Sequence, residues 1–439
     1  MLLIKNGRLI SPADELDGYF DLLIAGPRDE SAGTIQKIAP RGTITPELFP
    51  EFSGQLLSAR VINATGCLIF PGLVDVHVHF RDPGFTYKED METGARAAAS
   101  GGVTSVVLMA NTKPPVDNPE TLSYVLDKGR QTGIRVYTCV NVTKGMKGEE
   151  LVDVEALLKL GAVGMTDDGV PLLDETLARK AMELSASLQV PISFHEEDPG
   201  YIVNNGINHG AASAYYGIGG SDREAEISLV RRDLGIALAT GAIINIQHIS
   251  SRETVELIRK AKQQKGGERI HAEATPHHFT LTEQAAIEYG TMAKMNPPLR
   301  EEADRMAIIE GIADGTIDII ATDHAPHSAE EKAKPITEAP SGIIGLETAL
   351  SLASEILVKG GHMDYAQVIR AMSVNPAKLY GLPAGFIREG GPADLVLFDD
   401  RKTWTPESFL SKSQNSPFLG KTLTGKVRTT ICRGRIIYE

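Results

Sequence analysis

The sequence predicts an α/β fold: a parallel (β/α)8 barrel of the TIM type with a small β-sandwich domain formed from both termini. Three observations predict it. Between residues 69 and 384, eight short β-branched runs alternate with amphipathic stretches. Both ends are β-rich but too poor in apolar residues for separate cores. His and Asp side chains recur where the β runs stop.

Residues 1–68 form the N-terminal part of the β domain, with extended runs such as "LLIKNGRLI" and "FDLLIAG" broken by turn residues. Residues 385–439 form its C-terminal part. There "ADLVLFD" is strand-like, and "GKVRTTICRGRIIYE" reads as two strands split around "RG", a hairpin. The two parts are expected to pack together, which makes the barrel, residues 69–384, an insertion. Its strands are "LVDVHVH", "TSVVLMA", "RVYTCVNV", "VGMTD", "PISFH", "AIINIQH", "RIHAEA" and "DIIATD". Stretches such as "DETLARKAMELSASLQ" and "EAEISLVRRDLGIALATG" repeat apolar residues at three- and four-residue spacing and predict helices between them. A doubly wound sheet is the rival, but no G-x-G-x-x-G follows an early strand.

A chain of 439 residues accommodates a barrel of roughly 250 residues and an appendage. Its net charge is −13, with no Lys/Arg-rich run, which argues against nucleic acid as a partner. Three dispersed cysteines, Cys67, Cys139 and Cys432, supply neither a disulfide framework nor a C-x-x-C site and fit a reducing compartment. The start "MLLIKNGRLIS" lacks a signal-peptide core, and no run approaches roughly 18 apolar residues. The expectation is a soluble cytoplasmic protein that does not enter a membrane.

Active sites of such barrels lie at the C-terminal ends of the strands. There strand one carries His77 and His79, strand four Asp167 and Asp168, strand five His195, strand six His248 and strand eight Asp323. In a strand of period two, His77 and His79 share a face, with Val76 and Val78 on the other, and only one of Asp167 and Asp168 can point inward. Four imidazoles and a choice of carboxylates match the ligands of borderline divalent metals such as zinc. Arg81, two residues past His79, brings a guanidinium that pairs bidentately with a carboxylate.

The segments "GLVDVHVHFRDPG", "GGVTSVVLMANTKP", "TDDG", "HEED", "QHIS", "MNPPLR" and "IDIIATDHAPH" resemble the amidohydrolase superfamily, and within it the class I dihydroorotase group. That resemblance implies a distorted barrel with a flanking β domain and the reversible interconversion of N-carbamoyl-L-aspartate and L-dihydroorotate in pyrimidine synthesis. It implies one or two zinc ions per subunit, two favoured: His77 and His79 with Asp323 on one, His195 and His248 on the other, Asp168 bridging. Asp323 would also carry the proton between the attacking hydroxide and the leaving nitrogen. His79, Arg81, Asn111 and His327 would hold the substrate, Asn296 its ring, and backbone near Ser341 and Gly342 would complete the contact. Many relatives bridge their metals with a carboxylated lysine at the end of strand four. Here "GAVGMTDDG" has none, and Lys159 lies too early, so Asp168 takes the role and Asp167 packs elsewhere.

His277 and His278 are expected in loop or supporting roles, His324 and His271 as structural, and His209 and His362 as exposed. The "EEKAK" run reads as a solvated face, opening a loop over residues 328–345 that could close on substrate. Rival functions are an allantoinase or hydantoinase, or a non-catalytic scaffold. The partners expected are the small-molecule substrate, with a homodimer and association with aspartate transcarbamoylase left open.

Overall fold

A computed structural model describes residues 1–26 and 33–439. Its strands, in chain order, begin with β1 (Leu2–Ser11), β2 (Leu16–Ile24), β3 (Ile35–Pro40), β4 (Arg60–Asn63) and β5 (Leu68–Pro71). The middle of the chain supplies β6 (Leu73–Val78), β7 (Val103–Leu108), β8 (Arg135–Val140), β9 (Gly164–Thr166), β10 (Pro191–Phe194), β11 (Ile243–Ile246), β12 (Ile270–Ala274) and β13 (Ile319–Ile320). β14 (Leu395–Trp404), β15 (Leu423–Cys432) and β16 (Arg435–Tyr438) follow.

The two ends of the chain form one mixed sheet, ordered β16-β15-β14-β5-β1-β2-β3, with β4 also against β1. β5 lies across the expected domain boundary at residue 68. Period-two alternation buries both faces: Leu2, Ile4 and Leu9 pack with Leu22, Ile24 and Leu395, while Leu3 and Leu23 pack on the other side with Ile44 and Leu56. β15 and β16 form the expected hairpin. Its turn residues Arg433 and Gly434 have φ of 52° and 73°, the left-handed pair that suits the twist of a two-residue turn.

The other sheet has eight parallel strands in sequence order, β6 to β13. All eight expected runs are present. Among the described residues, β13 and β6 are joined only by an isolated bridge between Val78 and His324. Beneath it the buried Asp75 carboxylate accepts the N–H of Thr322 at 3.2 Å and of His77 at 3.1 Å. A side chain thus replaces ladder bonds where the barrel closes. Helices cover the outside, among them Glu175–Leu188, capped by Asp174, and Glu224–Thr240, ended by Gly241 at φ 73°. At the opposite end from the site, Tyr380 fills the barrel, its hydroxyl 2.8 Å from Ser193 Oγ. Among the described residues no helix is long and apolar enough to cross a membrane.

Two expectations fail locally. Val76 does not share the outward face of Val78: it packs with Val74, Val107 and Met109, and Val78 packs in the core beneath the helices. The cause is a register irregularity between Asp75 and Val78, which breaks the period of two just before the histidines. The "EEKAK" run is not wholly solvated either. It lies in and after the helix Ala329–Lys332, and Lys332 is buried, donating to the carbonyls of Pro340 at 2.9 Å and Gly342 at 3.0 Å. Those inward-turned carbonyls offset the burial of its charge.

Candidate metal centre and substrate cavity

Each candidate ligand stands just past, or at the end of, a barrel strand, where the ladder stops and the side chain leans over the open mouth. His77, His79, Asp168, His195, His248 and Asp323 converge there, all buried. His77 Nε2 lies 3.4 Å from both Asp168 Oδ1 and Asp323 Oδ1. His79 Nε2 lies 3.0 Å from Asp323 Oδ1 and 3.5 Å from Asp168 Oδ2. His195 Nδ1 lies 2.9 Å from His248 Nε2 and 3.7 Å from Asp168 Oδ1. Asp168 therefore stands between both pairs of imidazoles. His248 and Asp323 hold φ of 32° and 46°, a strained backbone for residues with side chains, and the strain aims them inward.

The outer ring nitrogens explain why these faces meet. His77 Nδ1 bonds Glu273 Oε1, His79 Nδ1 faces Asn111 Oδ1 at 3.0 Å, and His195 Nε2 faces Glu197 Oε2 at 3.1 Å. Each acceptor holds the N–H on the outer nitrogen, leaving the inner lone pair for the centre. The inner atoms His77 Nε2 and Asp168 Oδ1 are buried without a hydrogen-bond partner. Two such orphans, among six nitrogen and oxygen donors, fit a bound divalent cation. The electrostatics agree. Burial favours protonation of Asp168, but the adjacent His77, His195 and His79 imidazoles outweigh it and hold the carboxyl well below its usual range. Burial likewise opposes a charge on His77, yet Glu273, Asp323 and Asp168 raise it well above the ordinary imidazole value. A field that keeps a proton on a buried imidazole would also welcome a cation.

Asp167 points elsewhere. Its carboxylate accepts the N–H groups of Val142 at 2.9 Å and Thr143 at 3.1 Å and the amide of Asn141 at 3.2 Å. We therefore expect Asp168→Ala to lose at least one metal ion, read by elemental analysis. Asp167→Ala should keep its metal but unfold more easily, by about 1–3 kcal/mol for each buried donor left unpaired. Equal metal loss in both variants would contradict this placement.

Above the ligands lies a cavity of about 190 Å³, lined by Arg81, Asn111, Asn296, His327, Ser341 and Gly342 with the inner His and Asp residues. Arg81 Nε donates to Pro326 O at 3.3 Å. Burial, with the charges of Arg81 and Lys88, holds His327 well below the usual imidazole value, so it is neutral. Lys88 Nζ is 3.4 Å from His327 Nδ1. This wall suits an anion. Asn111 also donates to Asp168 Oδ2 at 2.9 Å, and Asn296 Nδ2 is 3.3 Å from His195 Nε2. Ser341 turns its hydroxyl away, to Asn205 at 2.9 Å. Gly342 forms wall rather than a free backbone donor, because its N–H goes to Lys294 O at 2.9 Å. Its φ of 139° requires glycine, and a Cβ there would meet Ala325 Cβ at 2.8 Å.

His277 and His278 are buried in the helix Pro276–Thr280 and do not line the cavity; burial lowers them to about 3 and about 4. His324 Nδ1 accepts the Gly345 N–H at 3.2 Å, His271 pairs with Asp318 at 2.7 Å, and His209 and His362 are exposed. Glu273 and Glu197 were not singled out from the sequence. The alternation in "RIHAEA" places Glu273 inward, and "HEED" places Glu197 two residues from a ligand, the signals that could have found them.

Larger surface clefts of about 710 and 690 Å³ lie elsewhere and bring no such set of side chains together.

The model of the Amidohydrolase family matches residues 68–437. The chain is 52% identical to a dihydroorotase of Clostridioides difficile over 439 residues, covering 100% of both chains. It is 49% identical to a dihydroorotase of Clostridium acetobutylicum over 441 residues, again covering 100% of both. Among solved structures, it superposes on an L-hydantoinase from Arthrobacter aurescens with a TM-score of 0.82 at 25% identity, covering 100% of this chain and 96% of that one.

Proposed function

The chain belongs to the amidohydrolase family and, within it, to the dihydroorotases, and from this premise we propose that its barrel mouth interconverts L-dihydroorotate and N-carbamoyl-L-aspartate. The observation that supports the reading best is one juxtaposition. Six buried ligand-type side chains lie beside a cavity walled by Arg81 and His327, with Lys88 against His327, on a chain that aligns end to end with those relatives.

We propose zinc as the metal, two ions favoured, with His77, His79 and Asp323 holding one, His195 and His248 the other, and Asp168 both. When bound, such ions lower the pKa of water towards 7 and polarise a carbonyl. The chain's own residues do the rest. Asp323, with Oδ1 3.0 Å from His79 Nε2, takes the proton of the attacking oxygen and passes it to the ring nitrogen as the amide C–N bond breaks. In the reverse direction it returns the proton. Arg81 pairs with the substrate carboxylate while neutral His327 donates a hydrogen bond to it and Asn111, held on Asp168, lines the same wall. Asn296 contacts the ring. The six ligand side chains are buried, which strengthens the polar contacts among them.

A hydantoinase or allantoinase would share barrel, ligands and proton transfer; the substrate carboxylate separates the readings. The test is turnover of dihydroorotate, hydantoin and allantoin by one metal-loaded preparation. We expect ring opening of dihydroorotate with kcat/KM at least about a hundredfold above the other two, within the discrimination that a buried polar site built for one group achieves. Preference for hydantoin or allantoin would overturn the assignment.

A further inference from the structure

The stretch between β14 and β15 leaves the terminal sheet and reaches the barrel mouth. One residue on it, Asn415, makes four hydrogen bonds, three of them to residues that line the substrate cavity. Its Oδ1 accepts the backbone N–H of His327 at 3.0 Å. Its Nδ2 donates to the carbonyls of Ala325 at 2.9 Å and Gly342 at 3.0 Å. Its own carbonyl accepts the Ile344 N–H at 3.0 Å. The residue is 2% exposed.

The backbone explains why a side chain is needed here. The chain after strand eight and the far end of the 328–345 loop run side by side: His324 bridges Ile343, and Ala325 N donates to Ile343 O at 3.1 Å. The ladder stops at that rung, although His327 and Gly342 stay close, a Cβ on Gly342 meeting His327 Cδ2 at 3.0 Å. The Asn415 amide supplies the missing rung. It needs one acceptor and two donor hydrogens on one short side chain, a set that Asp or Ser does not offer.

Asn415 is itself held from behind. The N–H groups of Leu410 and Ser411 donate to the Glu347 carboxylate, both at 3.0 Å, and Lys412 N donates to Glu89 at 3.1 Å. Ser413 Oγ donates to Lys88 O at 2.6 Å, and Lys88 reaches His327 from the other side. The support is therefore continuous from the 88–89 backbone through Asn415 to the cavity wall.

We propose that Asn415 is a positioning residue for substrate recognition, fixing His327 and Gly342 at the spacing the substrate carboxylate requires. This rests on the dihydroorotase reading above, and it makes a segment of the C-terminal part a component of the substrate site. Among the described residues Asn415 hydrogen-bonds to none of the candidate metal ligands, so its removal should weaken substrate binding without disturbing metal content.

The test compares wild type with Asn415→Ala by two readouts. Steady-state kinetics should show KM for dihydroorotate raised at least tenfold, with kcat within threefold of wild type and metal content unchanged. Hydrogen exchange should show the amide of His327, whose acceptor is the Asn415 side chain, at least tenfold less protected, with the barrel strands unaffected. A loss of kcat in proportion to misfolded protein at constant KM, or unchanged protection at that amide, would overturn the proposal. The exchange arm decides even if wild type fails to open dihydroorotate, a result that would instead sink the functional reading. Should the alanine variant not fold, Asn415→Asp keeps the acceptor for His327 but loses both donors. It should still raise KM several-fold while the His327 amide stays protected, and a wild-type KM would refute the role.

Discussion

Asp323→Asn should reduce kcat about 10²- to 10⁴-fold in both directions, the range that general acid–base groups supply, while the protein keeps at least part of its metal. The expectation follows from where the carboxylate sits. Asp323 is buried, and its Oδ1 is 3.0 Å from His79 Nε2 and 3.4 Å from His77 Nε2, close enough to the ligand cluster to meet an attacking oxygen there. Burial favours its protonated form, but His77 and His79 outweigh that and bring it down to about 2. It therefore starts as a base. An amide of the same shape retains an oxygen for coordination but cannot take up the proton. Because one group serves attack and departure, both directions should fall together. Unchanged turnover at full metal occupancy would remove Asp323 from the reaction.

Arg81→Met should cost about 2–5 kcal/mol in kcat/KM for dihydroorotate, the range for truncating one partner of a desolvated charge pair, with metal content unchanged. Arg81 is a left-handed residue at φ 59°, a conformation that turns the chain after His79 so that the side chain lines the cavity instead of following the strand. Among the described residues the guanidinium's one hydrogen bond to the protein is Nε to Pro326 O at 3.3 Å, which leaves the rest of it for a ligand. The nearby Lys88 has a carboxylate of its own, with Glu331 at 2.8 Å. Arg81 is therefore the less compensated cation. Dihydroorotate turnover that survives this substitution would show that the carboxylate is recognised elsewhere.

The parts of this arrangement legible in the sequence are those written in local periodicity. Eight β-branched runs, each with its polar stop, correspond to the eight barrel strands, and the "RG" of residues 433–434 to the final hairpin. The six converging side chains are those at the strand ends because a barrel brings all its strand ends together. What was not legible depends on contacts between distant segments. Glu273 matters because His77 faces it across the barrel, 196 residues away in sequence. Lys332 is buried because a later turn brings the carbonyls of Pro340 and Gly342 to it. Val76 faces inward because of an irregularity in strand pairing that no alternation rule anticipates. Asn415, in a polar stretch with no motif, gains its role only when the C-terminal part lies against the barrel mouth.

Asp168, proposed to stand where other relatives carry a carboxylated lysine, should make ring opening of dihydroorotate independent of CO₂. Zinc titration of chelator-stripped protein in bicarbonate-free buffer, with dihydroorotate hydrolysis followed, measures this. Activity should be lost on stripping and return in full at no more than about two zinc ions per chain, without added CO₂. Activity that survives stripping, or that returns only when bicarbonate is supplied, would contradict it.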